Sequence, residues 1–107
     1  MADVIQAIED VKQYDSNIDE QLVTSIFRSL GPVVYNRDTR YVACSDAYEL
    51  ELIREGFLKG QLGIEGSDND LSQTIQQVCR LMSKSHFKLR VTFYYLLVKK
   101  YGKQNLF

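Results

Sequence analysis

The sequence predicts an all-α fold, a single compact domain of about five helices, on three observations. Apolar residues recur at helical spacing in five separate stretches. Asp, Ser and Gly stand at the ends of those stretches, where helix caps belong. Only one short segment, residues 33–43, is rich in β-prone side chains. A chain of 107 residues with 45% hydrophobic and 25% charged side chains fits one globular unit. At this size folding buries roughly two thirds of the surface that the unfolded chain exposes.

In the first helix Val4, Ile8 and Val11 fall at i, i+4 and i+7, Asp3 is placed to cap it, and "DSN" at 15–17 is the turn that ends it. Residues 1–17 form this N-terminal element and 19–107 the remaining core of the domain. A second helix starts near Asp19 and presents Leu22, Val23, Ile26, Phe27 and Leu30. Gly31 supplies its left-handed cap and Pro32 blocks continuation. Residues 33–43 are ambiguous. Val33–Tyr35 and Tyr41–Ala43 would make a hairpin around Asn36–Thr39, but an isolated two-stranded ribbon is marginal in water, which favours short helical turns.

A third helix opens at Asp46, with Glu49 completing the residue types of an N-terminal box. It continues through Leu50, Ile53 and Phe57 and closes at Gly60 and Gly63. After the loop "GIEGSDND", Ser67 or Asp68 caps a fourth helix whose Leu71, Ile75, Val78 and Met82 form an unbroken stripe. Ser83 and Ser85 mark a break. The last helix then runs from His86 to Tyr101 and stops at Gly102.

Net charge is −1, but its distribution is uneven. Residues 1–70 carry fourteen acidic and six basic side chains, a net of −8, whereas residues 71–107 carry seven basic and no acidic ones. Such asymmetry points to an anionic partner or to two halves that face each other. On a helix over 86–103, Phe87, Val91, Tyr94, Val98 and Tyr101 gather on one apolar side. Lys88, Lys99 and Lys103 fall together on another, with Tyr95 beside them, and make the candidate anion or partner surface. Burial decides this helix's orientation, because a large apolar side chain gains roughly 1.5–3 kcal/mol when fully buried. The lysines then form a solvated edge, dock on the acidic helix bearing Glu49, Glu51 and Glu55 or on a neighbouring subunit, or contact nucleic acid. The sequence pI of 5.8 argues against the last. Arg90 sits among the apolar positions and is expected to pair with a carboxylate.

Chemical signatures are weak. His86 is the only histidine, and Cys44 and Cys79 lie 35 residues apart without a C-x-x-C, so zinc is not expected. The cysteines are expected as two reduced thiols in a cytoplasmic protein; the start of the sequence lacks the pattern of a signal peptide, and the longest apolar run is far too short to span a bilayer. The Asp68-x-Asp70-x-Ser72 run lacks the glycine and glutamate of a calcium loop, and the glycines of "GQLGIEG" are misplaced for a dinucleotide. No cofactor is expected.

Three stretches, "GPVVYN" at 31–36, "VACSDAYELELIREGFLKGQLG" at 42–63 and "RVTFYYLLVKKYGKQNLF" at 90–107, resemble a family of small bacterial proteins described as domain-of-unknown-function family 2853. The resemblance spans roughly residues 19–107, leaving the first eighteen outside. It implies a compact all-helical fold in a soluble bacterial protein and assigns no site residue. The reading that results is a soluble non-enzymatic binding or interaction module, with a protein partner or a second subunit met through the acidic and basic surfaces and no membrane. Two alternatives stand beside it: a nucleic-acid-associated protein using Lys88, Tyr95, Lys99 and Lys103, and a small enzyme centred on Cys44 or on Tyr35, Asn36 and Asp38.

Overall fold

Helix α5 (Arg90–Tyr101) runs through the middle of the computed structural model, which describes residues 3–107. Every side chain from Arg90 to Val98 except Tyr94 is buried, so α5 is apolar on almost every side, the pattern of a helix enclosed by its neighbours. Around it lie α1 (Val4–Lys12), α2 (Glu20–Leu30), α3 (Ala47–Leu52) and α4 (Asp68–Leu81), which bring the expected five helices into one globule. The caps fall where the sequence placed them. Asp3 accepts the Gln6 amide at 2.8 Å and Asp19 that of Leu22 at 3.1 Å. Asp46 accepts the amides of Tyr48 and Glu49, and Ser67 that of Asp70. Each such cap contributes about 1 kcal/mol. The α4 stripe of Leu71, Ile75, Val78 and Met82 is buried throughout.

Helix α5 begins four residues later than the periodicity indicates. Lys88–Leu89 forms strand β2, antiparallel to β1 (Tyr41–Val42), with Tyr41 opposite Leu89 and Val42 opposite Lys88. The Arg90 amide then donates to the Arg40 carbonyl at 2.7 Å, in place of a side-chain cap. The hairpin alternative for 33–43 is therefore corrected in part. Val33–Tyr35 belongs to a 3-10 turn over Gly31–Tyr35, while Tyr41–Val42 is a strand whose partner comes from far along the chain. Phe87, assigned to the buried face of the last helix, precedes it and is 70% exposed.

Two features of the middle segment differ from expectation. Beyond Leu52 the helix widens into a π-helix over Ile53–Gln61, closed by the Leu62 amide on the Phe57 carbonyl at 2.9 Å. Ile53, Phe57, Leu58 and Leu62 are buried, and their spacing of four and five residues suits a turn closed from i to i−5 better than the tighter α turn. Second, Cys44 and Cys79 are joined in a disulfide with their Cα atoms 6.0 Å apart. This overturns the expectation of two free thiols. The link between β1 and α3 lies against the last turns of α4, a proximity that two cysteines 35 positions apart do not announce.

Arg90 meets the carboxylate expected for it. Its guanidinium pairs with Glu49 on α3 and also donates to the carbonyls of Thr39 (2.6 Å) and Tyr41 (3.3 Å) and to the Tyr94 hydroxyl (3.2 Å). One side chain thus fixes the segment before α3, α3 itself and the first turn of α5. Tyr94 in turn stacks on Phe57 of the π-helix, ring centroids 3.8 Å apart.

Candidate functional site

The residues proposed for an anion-binding stripe are separated by the fold. Tyr95 is fully buried; its hydroxyl donates to Asp15 at 2.6 Å and accepts the Asp19 amide at 3.0 Å. Lys88 lies on β2, half-buried, with its ammonium on the Ser85 carbonyl at 2.8 Å. Lys99 and Lys100 are exposed in the last turn of α5, where cations are favoured by the helix dipole. Lys103 follows the left-handed Gly102 that ends the helix. The acidic helix does not receive the lysines: Glu49 is taken by Arg90, and Glu55 by Arg54 and Lys59. Among the described residues, Lys99, Lys100 and Lys103 take part in no ion pair.

Tyr95 yields a measurable consequence. Burial first, and the hydrogen bond to Asp15 second, push its phenol up to about 12 from the usual 10.0. A raised folded-state value means that stability is undiminished below pH 10.0 and falls as the pH climbs from there towards about 12. Tyr95→Phe is expected to remove that part of the alkaline slope. At neutral pH it should cost roughly 1.5–3 kcal/mol, because a hydrogen bond to a charged acceptor is lost. Urea denaturation of both proteins between neutral and alkaline pH checks this; equal slopes would contradict it.

The two proposed catalytic centres have structural occupations. The Cys44 sulfur is bonded to Cys79. Asn36 accepts the Asp38 amide at 2.8 Å in a turn where Tyr35, Asn36 and Asp38 are all exposed. Among the described residues no group of three or more His, Cys, Asp or Glu side chains is placed to hold a metal ion.

A different feature stands out at the opposite end of α5 from the lysines. Gln6, Glu9 and Asp10 of α1 with its C-cap Gln13 line a groove of about 400 Å³ against Tyr41 and Leu89 of the β1–β2 ribbon and Phe87 just before β2. The ring of Phe87 lies 5.2 Å from that of Tyr41 at 45°, leaving most of the phenyl in solvent. Asp10 accepts the Thr92 hydroxyl and the Gln13 side-chain amide and forms no ion pair among the described residues, and burial raises its carboxyl pKa against the effect of Thr92. Its neighbour Glu9 is exposed and touches Lys12 at 3.3 Å. The sequence carried a trace of this wall: Phe87 and Leu89 alternate with Lys88, a period of two that belongs to a strand and not to the helix assigned there.

The family described as "Protein of unknown function (DUF2853)" matches residues 6–105. The chain belongs to this family. The DUF2853 match reaches into α1, so the first helix, outside the span of the earlier resemblance, is part of the family's domain, and with it the acidic wall of the groove. No curated protein matches the chain. Among the described residues of this DUF2853 protein, no helix is long and apolar enough to cross a membrane.

Proposed function

We propose that this DUF2853 protein is a non-enzymatic binding module whose contact surface is the groove between α1 and the β1–β2 ribbon. The observation that supports this reading is Phe87, a large ring 70% exposed beside Tyr41. Full burial of such a ring is worth roughly 1.5–3 kcal/mol, which the isolated fold leaves unclaimed and a partner can claim. Acidic and polar side chains on the facing wall of α1 rim the aromatic pair, as polar residues rim the apolar centre of protein interfaces. The groups that could carry chemistry are meanwhile engaged in the fold: the cysteines with each other, Arg90 with Glu49, Tyr95 with Asp15.

A photo-crosslinking phenylalanine analogue placed at position 87 in living bacterial cells tests the proposal, with position 73 on the exposed side of α4 as control. The expected result is discrete adducts from position 87 and none from 73. Absence of adducts from 87, or the same pattern from both positions, would overturn it. The cytoplasmic placement read from the sequence is tested separately. A reducing cytoplasm keeps cysteines as thiols, so alkylation of intact cells before lysis reports whether the Cys44–Cys79 bond persists where the protein works.

A further inference from the structure

Two of the surfaces that the fold leaves open are complementary. One is the groove, with Glu9 and Asp10 on one wall and the Phe87–Tyr41 pair on the other. The second is the far end of α5, where Lys99, Lys100 and Lys103 make no ion pair among the described residues and Leu106 beside them is 51% exposed. Within the groove Glu9 is bridged to Lys12 and Arg40 lies over the Tyr41 ring, so a cationic tip with an apolar neighbour is matched by the Asp10 carboxylate, which forms no ion pair among the described residues, and by the open ring of Phe87. Ammonium groups are attracted by carboxylates and by aromatic faces alike, and a leucine side chain gains from contact with an open phenyl ring.

The tip cannot fill the groove of its own chain. Leu89 lines the groove and Lys99 lies ten residues further along, which on a helix rising 1.5 Å per residue is a separation of about 15 Å. A lysine side chain spans less than half of that.

We infer that the groove receives the Lys99–Leu106 tip of a second copy of this chain, giving head-to-tail self-association. This rests on the reading of the groove as the contact surface and adds its occupant. The two patches differ and lie at opposite ends of α5, so the contact is heterologous, and each copy added leaves one groove and one tip open. Assembly therefore grows with concentration and does not stop at a closed dimer. The contact pairs exposed charges, so salt weakens it.

Sedimentation velocity from micromolar to millimolar protein tests this at ~50 and ~500 mM salt, where the screening length falls severalfold. The average mass is expected to climb above the monomer's 12.4 kDa at low salt and to return to it at high salt. Glu9→Lys with Gln13→Lys reverses the groove rim, and Lys99→Glu with Lys100→Glu reverses the tip; all four side chains are exposed, and circular dichroism checks that both variants fold. Each variant alone is expected to remain at 12.4 kDa, and an equimolar mixture to associate again, because reversed tips now meet reversed grooves. Wild-type protein that stays monomeric throughout, or association indifferent to salt and to both variants, would overturn the inference. The crosslinker at position 87 separates the two proposals: an adduct of twice 12.4 kDa supports both, adducts only to other proteins sink the second-copy occupant while keeping the groove, and no adduct sinks both.

Discussion

Reduction of the Cys44–Cys79 bond is expected to lower the stability of the fold by about 4 kcal/mol while leaving its helical content in place. The magnitude follows from chain entropy: a cross-link across 35 residues removes conformations from the unfolded ensemble. The survival of the fold follows from what flanks Cys44. Arg90 holds the carbonyls of Thr39 and Tyr41 on one side and the Glu49 carboxylate on the other, so the link stays pinned when the sulfurs part. Urea titrations with and without a dithiol reductant, and of Cys44→Ser with Cys79→Ser, provide the measure. Both should show a lower midpoint, by similar amounts, with far-UV circular dichroism unchanged in the absence of urea. Denatured protein never exposed to reductant should yield no free thiol before reduction and two after it. A reductant-insensitive midpoint would show that the bond does not hold the protein together.

Replacement of Arg90 by methionine is expected to cost about 3–5 kcal/mol, the usual loss when one partner of a buried ion pair is removed. Arg90 is 9% exposed, and its removal strands the Glu49 carboxylate together with two carbonyls that it caps. Glu49→Gln, which keeps the shape and loses the charge, should be milder. Adding Glu49→Met to Arg90→Met should recover part of the loss, because the stranded carboxylate goes with it. It should not recover all, since the carbonyls of Thr39 and Tyr41 stay unpaired. A double-mutant cycle measures the coupling, expected between ~0.5 and 3 kcal/mol. Additive effects would mean that the carbonyl contacts, and not the ion pair, hold this junction.

The parts of this fold that were readable in the sequence are those that one segment specifies by itself. The caps at Asp3, Asp19, Asp46 and Ser67 and the buried stripe of α4 are local patterns, and the structure keeps them. Arg90 was readable as well, because a guanidinium among apolar positions demands a carboxylate wherever that comes from. The failures involve two segments at once. Tyr41–Val42 and Lys88–Leu89 become strands only by pairing with each other, and that pairing delays α5 and turns Phe87 outward. Helical geometry had also put Tyr95 beside the lysines. It is buried because α5 is enclosed on nearly all sides, which no single amphipathic face expresses. The candidate groove combines α1 with this ribbon, so it was out of reach for the same reason, although its strand-like alternation was present in the sequence.

The central position of α5 also bears on how fast the protein acquires its fold. Several of the contacts that secure α5 come from the beginning of the chain: Thr92 with Asp10, Tyr95 with Asp15 and Asp19, and the loop before it through Ser85 with Tyr14. An ordinary helical bundle can grow from one neighbouring hairpin to the next, and its low contact order makes it quick. Here α1 and α2 pack on each other, but the core they share with α5 waits for a segment some eighty residues away, so the entropy of closing that large loop is spent before that core closes. Folding should therefore be slow for a helical protein, with a transition state that already contains α5 against α1 and α2.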